Sequence, residues 1–231
     1  MSAMTDQPAF EAASEAATAA DWATETEGRL LTAALDHAER LGWTSRLVAA
    51  AARDIGLTAA EAGLLLPEGP RDLAALLARR DDSSALRALA VVNPSALKIR
   101  ERIRAGVLAR TEAAMDHEGA TRRWMGFLAL PPHAALGLRL LWGSADALWR
   151  WAGDTATDEN HYTKRALLAE ILLSTLAIRM AADEAAAGAH LDRRIEGVMT
   201  FERWKGRFKP GLAATSAAKA LGRLRYGLTR L

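Results

Sequence analysis

Residues 30–80 decide the fold, and they read LLTAALDHAERLGWTSRLVAAAARDIGLTAAEAGLLLPEGPRDLAALLARR. Apolar residues in this stretch recur at spacings of three and four, which predicts helices over 26–41, 45–54, 58–65 and 70–80. Gly42 is placed to end the first helix, and Thr44 is placed to cap the second. Pro67 and Pro70 break the chain between the third helix and the fourth.

Helical periodicity continues through the rest of the chain, and strand signals are nearly absent. It predicts further helices near 95–116, 120–128, 132–151, 159–183, 188–204 and 212–231. The sequence therefore predicts an all-α protein of eight to ten helices.

The order of helices and turns predicted for residues 30–80 resembles that of the DNA-binding module of tetracycline-repressor-type proteins. A recognition helix should offer cations and amides to phosphates and base edges. The third helix of this chain reads TAAEAGLLL, so its one charged residue is Glu61, which phosphates repel. Its apolar residues Leu64, Leu65 and Leu66 are expected to be buried or at an interface. We therefore predict a repressor-like fold with a vestigial helix-turn-helix and no DNA binding.

Charge is distributed unevenly along the 231 residues, although the formal net charge is only +2. Residues 1–28 contain six acidic and no basic residues, and their composition predicts a mobile tail over 1–25. Residues 193–231 contain ten basic and two acidic residues, which predicts a basic contact surface. No run of about 20 apolar residues predicts a transmembrane helix. Because cysteine is absent, disulfides and thiolate chemistry are excluded.

The C-terminal segment 212–231 has the pattern of a basic amphipathic helix. Leucines occupy one arc, and cations such as Lys219 and Arg223 lie opposite. This pattern is typical of a helix on an anionic lipid surface, and also of a core-facing helix with a solvated basic face. We favour the membrane and predict contact through Lys219, Leu221, Arg223, Leu224, Leu228 and Leu231.

Two helices, 132–151 and 159–183, are apolar on more than one face and must therefore bury more than one face. A core helix with a dimer interface explains this pattern, and so does a cavity for an apolar ligand. If a cavity exists, its candidate lining residues are Leu138, Leu141, Trp142, Ala145, Leu168, Leu172, Leu176, Ile195 and Met199.

The segment from 143 to 200 carries a set of motif residues, and its most specific part is the run from Asp154 to Arg165. The motif residues are Gly153, Asp154, Thr157, Asp158, Asn160, Tyr162, Thr163, Arg165, Asp183, Leu191, Arg194 and Ile195. This pattern resembles the coenzyme Q (ubiquinone) biosynthesis accessory family of lipid-binding proteins, and the likeness extends over about 29–204.

The resemblance implies a repressor-like fold without DNA function, an isoprenoid-binding cavity among 132–151, 159–183 and 188–204, and a membrane-contact helix at the C-terminus. It also implies support for the di-iron demethoxyubiquinone hydroxylase, to which such a protein binds and presents substrate. The predicted partner-binding residues are Trp149, Trp151, Asp154, Asp158, Tyr162 and Arg165. The aromatic residues could instead anchor helices, and the aspartates could instead serve a turn and a helix cap.

The chain is predicted not to be an enzyme and to need no cofactor or metal, because motifs for metal, nucleotide and nucleophilic chemistry are missing. We expect a homodimer, cytoplasmic and peripheral on a bacterial inner membrane. The predicted divisions are a disordered acidic tail (1–25), a vestigial helix-turn-helix subdomain (26–80), a lipid-binding and dimerisation domain (81–208), and a hinge with the membrane helix (209–231). The alternatives are a ligand-responsive transcription regulator and a structural dimer without a ligand.

Overall fold

The described part of the protein is all-α. A computed structural model describes the backbone of residues 7–154 and 159–207, and the side chains of 21–154 and 162–198; none of these residues forms a strand. The helices are α1 (Gln7–Leu41), α2 (Ser45–Asp54), α3 (Ala59–Leu65), α4 (Pro70–Leu89), α5 (Ile99–Met115), α6 (Glu118–Ala129), α7 (Pro131–Trp151), α8 (Glu159–Ala181) and α9 (Glu184–Arg207), with a short 3-10 turn at Pro94–Ala96.

Helix ends agree with the sequence at Thr44, Thr58 and Gly42, whereas the helix predicted at 188–204 begins earlier, at Glu184, after an Asp183 cap. Thr44 accepts a hydrogen bond from the Leu47 amide at the start of α2, and Thr58 forms a reciprocal capping box with Glu61 at the start of α3. Gly42, which follows α1, has a φ of +64°, a conformation that favours glycine.

The helices predicted at 26–41 and 70–80 are both longer in the structure. Residues 7–25, predicted as a mobile tail, continue α1 toward the N-terminus. Their many alanines have high helix propensity, which favours a helix although the acidic composition is typical of a mobile tail. Helix α4 continues to Leu89 because no proline or glycine interrupts it after Pro70. The predicted helix at 212–231 lies outside the described residues.

The three leucines at the end of α3, which were expected to be buried or at an interface, differ in exposure. Leu66 is buried and Leu65 is half-buried, but Leu64 is 82% exposed. The Glu61 carboxylate is held by the Thr58 cap, and these hydrogen bonds lower the Glu61 pKa. The repressor-like topology and the vestigial role of this region stay predictions.

Apolar side chains form two cores. The first lies among α1, α2, α4, α6 and the start of α7, and it contains Trp43 and Trp124. Both indoles donate hydrogen bonds to backbone carbonyls, Trp43 to Ala120 at 3.2 Å and Trp124 to Ala74 at 3.0 Å. The second core lies among the end of α4, α5, the end of α7, α8 and α9.

A buried polar cluster separates the two cores where α4, α5 and α7 meet. Arg110 Nε donates to Asp82 at 2.5 Å, and its Nη1 donates to Asp81 at 3.3 Å. The Ser144 hydroxyl donates to the same Asp82 oxygen at 2.6 Å. Burial raises the pKa of Asp81 to about 6, although the Arg110 and Arg80 charges oppose this rise.

None of the helices in the described part of the chain combines the length and the apolar character needed to cross a bilayer.

Candidate functional site

The turn after α7 fixes the position of an aspartate. The Gly153 amide donates to the Arg150 carbonyl at 3.0 Å, and the Asp154 amide donates to the Trp149 carbonyl at 2.9 Å. These two bonds form a Schellman motif, which needs a left-handed residue at its centre. Gly153 supplies it with a φ of +87°. The motif turns the chain so that the Asp154 side chain faces α8.

Asp154 belongs to a buried ion-pair network, named here the α7–α8 network, which consists of Asp146, Asp154, Lys164 and Arg165. Arg165, only 2% exposed, donates to Asp146 at 2.6 Å and to Asp154 at 3.2 Å. Lys164 donates to the other Asp154 oxygen at 2.7 Å. Asp146 also pairs with the exposed Arg150 at 2.7 Å. The network therefore joins the end of α7 to the first turns of α8.

Electrostatics keep Asp154 ionised. Burial raises the pKa of its carboxyl, but the hydrogen bonds and positive charges of Lys164 and Arg165 outweigh that effect, so the pKa lies below its usual value. A carboxylate with a lowered pKa is a weak general base near neutral pH. The Asp154 side chain is therefore suited to holding structure and charge rather than to moving protons.

Trp149 stands beside the same network. Its indole nitrogen donates to the Lys164 carbonyl at 3.1 Å. The Lys164 ammonium lies 5.4 Å from the centre of the Trp149 ring, within the range of a cation–π contact. Trp149 is half-buried and packs against the second core, so it supports the junction of α7 and α8.

An apolar cavity of about 340 Å³ opens next to this network, between α5, the end of α7, α8 and α9. Its volume falls within the usual range for small-molecule pockets. Most of its wall is aliphatic and comes from Ile99, Ile103, Leu167, Leu168, Ile171, Ile195 and Val198.

Polar groups on the cavity wall come from α5, the α7 turn and α8. Arg102 donates to the Leu97 carbonyl at 3.0 Å and to the Ala152 carbonyl at 2.7 Å. Arg100 is exposed and also contributes to the wall, as do Lys164 and Asp154. The cavity therefore joins an aliphatic interior to a charged polar edge, an arrangement that suits an amphiphile.

Of the eight predicted cavity residues whose side chains the structure describes, two line this cavity, Leu168 and Ile195. Leu141, Leu172 and Leu176 line a separate void of about 20 Å³, and Ala145 is fully buried in the second core. Leu138 is 69% exposed, and the described part of the cavity wall does not include it. The half-buried Trp142 lies 6.1 Å from the Tyr162 ring, and the Met199 side chain lies outside the described ones.

The predicted partner-binding residues divide by exposure. Tyr162 is 65% exposed, and its ring lies 6.1 Å from that of Trp142. Arg165 and the Asp154 carboxylate are buried in the α7–α8 network, so a direct contact of either with a partner does not fit the structure. Trp149 and Trp151 are half-buried against the second core. Asp158 and all six predicted membrane-contact residues lie outside the described ones.

Sequence reasoning missed the contribution of α5. Ile99, Arg102 and Ile103 supply one wall of the cavity, yet the predicted cavity used only helices 132–151, 159–183 and 188–204. The sequence signal for this wall is the four-residue spacing of Ile99 and Ile103, which places both apolar side chains on one face of a helix. In the described residues, no group of three histidines or carboxylates is arranged to hold a metal ion.

Comparison with known proteins identifies the family of this region. The COQ9 family model matches residues 134–202, which include nearly all of α7, α8, the α7–α8 network and the α8 and α9 walls of the cavity. This segment is similar to the COQ9 family. The family resemblance predicted from the sequence is confirmed.

The similarity to individual COQ9 proteins extends over more residues than the match to the family model. The human ubiquinone biosynthesis protein COQ9, mitochondrial, is 28% identical over 162 residues, which cover 68% of this chain and 51% of the human protein. The rat protein of the same name is 27% identical over 184 residues, covering 76% of this chain and 59% of the rat protein. The Bos taurus protein is 29% identical over 164 residues, covering 68% and 51%. The chain spans about half the length of these COQ9 relatives.

Proposed function

We propose that this COQ9-family chain is an accessory protein of ubiquinone biosynthesis that binds an isoprenoid quinone precursor and presents it to the demethoxyubiquinone hydroxylase at a membrane. One observation carries the proposal. The family-matched segment supplies much of an apolar cavity, and a charged turn borders that cavity.

The chemistry of the cavity fits a quinone precursor. Aliphatic side chains favour an isoprenoid chain, since each buried CH₂ contributes about 0.8 kcal/mol. Arg100 and Lys164 offer donors to the oxygen atoms of a quinone or phenol ring. The ring would then lie near the polar edge, with the first part of the tail in the aliphatic interior.

The size of the cavity favours presentation over full extraction. A dry protein cavity of about 150 Å³ suffices for benzene. The cavity of about 340 Å³ therefore has room for a ring and a short part of a tail. The rest of a long polyprenyl tail needs another apolar environment, and the bilayer provides one. We accordingly propose that the lipid is reoriented at the membrane surface rather than enclosed.

We propose a supporting role rather than a catalytic one. The ionisable groups nearest the turn already neutralise one another, since Asp154 pairs with Lys164 and Arg165. The lowered pKa of Asp154 makes it a poor proton acceptor.

The hydroxylase contact is assigned to the surface around Tyr162. Exposed aromatic residues are frequent hot spots in protein interfaces. Trp149, Asp154 and Arg165 would act from beneath by fixing the start of α8. The exposed Leu138 and Leu173 on α7 and α8 are candidates for the predicted homodimer contact. The segment 212–231 would supply the peripheral membrane contact.

The alternative role, a DNA-binding regulator, is not favoured. Helix α3 has one charged residue, Glu61, and that residue is engaged in the Thr58 cap. Its most exposed large side chain is the apolar Leu64. Phosphate contacts require cations, which α3 lacks.

Quinone binding can be tested by quenching of tryptophan fluorescence, because Trp149 lies in the cavity wall. We expect saturable quenching by a ubiquinone analogue with a short tail. Ile195→Trp should fill the cavity and weaken binding at least about tenfold, the effect of about 1.4 kcal/mol. Ala189→Trp is the matched control, because residue 189 is exposed on the same helix. Equal affinity in both variants would show that the quinone does not occupy this cavity.

A further inference from the structure

The connection between α4 and α5 presents apolar side chains to solvent. Val91 is 91% exposed and Ile99 is 41% exposed. We name residues 90–100 the mouth loop, because Ile99 and Arg100 at its end belong to the wall of the apolar cavity. Single exposed apolar residues are common on protein surfaces, so their meaning depends on what surrounds them.

Cations surround these apolar residues. Residues 87–104 contain five arginine or lysine residues and one acidic residue, Glu101. The Glu101 carboxylate accepts a hydrogen bond from the Lys98 amide at 2.8 Å, which caps α5. Within the described residues, neither the Lys98 side chain nor the Arg100 side chain lies within ion-pair distance of a carboxylate. Both residues are exposed, so their charges are available to an anionic surface.

The mouth loop is held in place by its own hydrogen bonds. Asn93 accepts from the Ser95 amide at 3.0 Å and starts the 3-10 turn. Arg102 joins the Leu97 carbonyl of the loop to the Ala152 carbonyl at the end of α7. The loop and the turn at Gly153 therefore form one fixed edge of the cavity, so little ordering entropy is lost when the loop meets a partner.

We propose that the mouth loop is a docking surface for an anionic lipid bilayer, with Val91 and Ile99 entering the interfacial region and Lys98 and Arg100 meeting lipid phosphates. The proposal rests on the proposed function, because it places the cavity opening against the membrane that holds the rest of the isoprenoid tail. Apolar residues interleaved with cations suit a bilayer interface. A nucleic acid would bind the cations through its phosphates but would offer no apolar surface to bury Val91.

The absence of cysteine makes contact with lipid directly measurable, because a single introduced cysteine gives one labelling site. Val91→Cys in the full chain is labelled with an environment-sensitive fluorophore and mixed with phosphatidylcholine vesicles with and without phosphatidylglycerol. We expect a blue shift, and quenching by a lipid-borne nitroxide, on the vesicles that contain phosphatidylglycerol. Leu64→Cys is the control, since Leu64 is also highly exposed but lies on α3, away from the cavity.

Charge substitutions give a second, independent measurement. Lys98→Gln with Arg100→Gln should weaken partition onto phosphatidylglycerol vesicles about 25-fold, because each cation near such a surface contributes about fivefold. Arg29→Gln with Arg46→Gln changes net charge equally on α1 and α2 and should weaken partition much less, because the effect of a charge falls off within a Debye length.

Three results would overturn the proposal: a Val91 label that keeps its aqueous emission on vesicles that bind the protein, equal partition of the two charge variants, or no vesicle binding by the unmodified chain. The quinone titration tests the proposed function separately, because it measures quinone binding in the absence of vesicles. Quinone binding without insertion of the Val91 label would reject the mouth loop alone. Insertion without quinone binding would reject the proposed ligand and leave the docking surface standing.

Discussion

Replacing Arg165 with methionine tests whether the α7–α8 network holds the site together. The substitution removes a cation that is 2% exposed and leaves the Asp146 and Asp154 carboxylates without their shared partner. Removing one member of a buried ion pair typically costs 3–5 kcal/mol. Asp154 keeps Lys164 and Asp146 keeps Arg150, so we expect the lower end, about 3 kcal/mol.

Denaturant unfolding of the full chain measures this loss. Thermal unfolding gives a second measurement. For a protein of this size, each kcal/mol of lost stability lowers Tm by about 2–4 °C, so Tm should fall by roughly 6–12 °C. Arg150→Met is the matched control, because Arg150 pairs with the same Asp146 but is 74% exposed, and it should cost less than about 1 kcal/mol. Equal losses in the two variants, or a loss below about 1 kcal/mol for Arg165→Met, would show that the α7–α8 network does not stabilise the site.

Three further predictions concern the turn, the buried aspartate and the C-terminal segment. Gly153→Ala should cost about 1–2 kcal/mol in unfolding free energy, because alanine is strained at a φ of +87°; a neutral effect would mean that the turn relaxes. Folding raises the Asp81 pKa from 3.8 to about 6, so the ionised side chain lowers stability as pH rises through this window, by about 3 kcal/mol at 1.36 kcal/mol per unit. Asp81→Asn should remove that part of the pH dependence, and an unchanged difference in unfolding free energy between the two ends of the window would contradict it. Leu224→Glu with Leu228→Glu should reduce flotation with anionic vesicles, and undiminished flotation would reject the membrane role of 212–231.

Local signals predicted the helices well because the deciding interactions are local. Thr44 and Gly42 mark helix ends through bonds to their own neighbours, and the structure uses both. The early start of α1 was missed because an acidic, alanine-rich segment satisfies the compositional signs of a tail and also those of a helix.

The candidate site was harder to predict because it depends on which helix faces meet. Helix α8 is apolar on several faces, and only the packing shows that Leu168 turns to the cavity while Leu173 turns to solvent. Arg165 has the sequence appearance of a surface cation, but two aspartates separated by eight positions surround it in the folded chain. The spacing of Ile99 and Ile103 predicts a shared helix face, but no local pattern shows that this face meets α8 and α9 to form the cavity.

Native mass spectrometry with lipid extraction, on the full chain purified from its own cytosolic or membrane fraction, would show directly whether the protein binds an isoprenoid. We expect a co-purifying isoprenoid quinone or quinone precursor, with a matching mass increase of the protein. A clean unliganded mass that gains no lipid after mixing with vesicles that contain ubiquinone would show that the protein does not bind such a lipid.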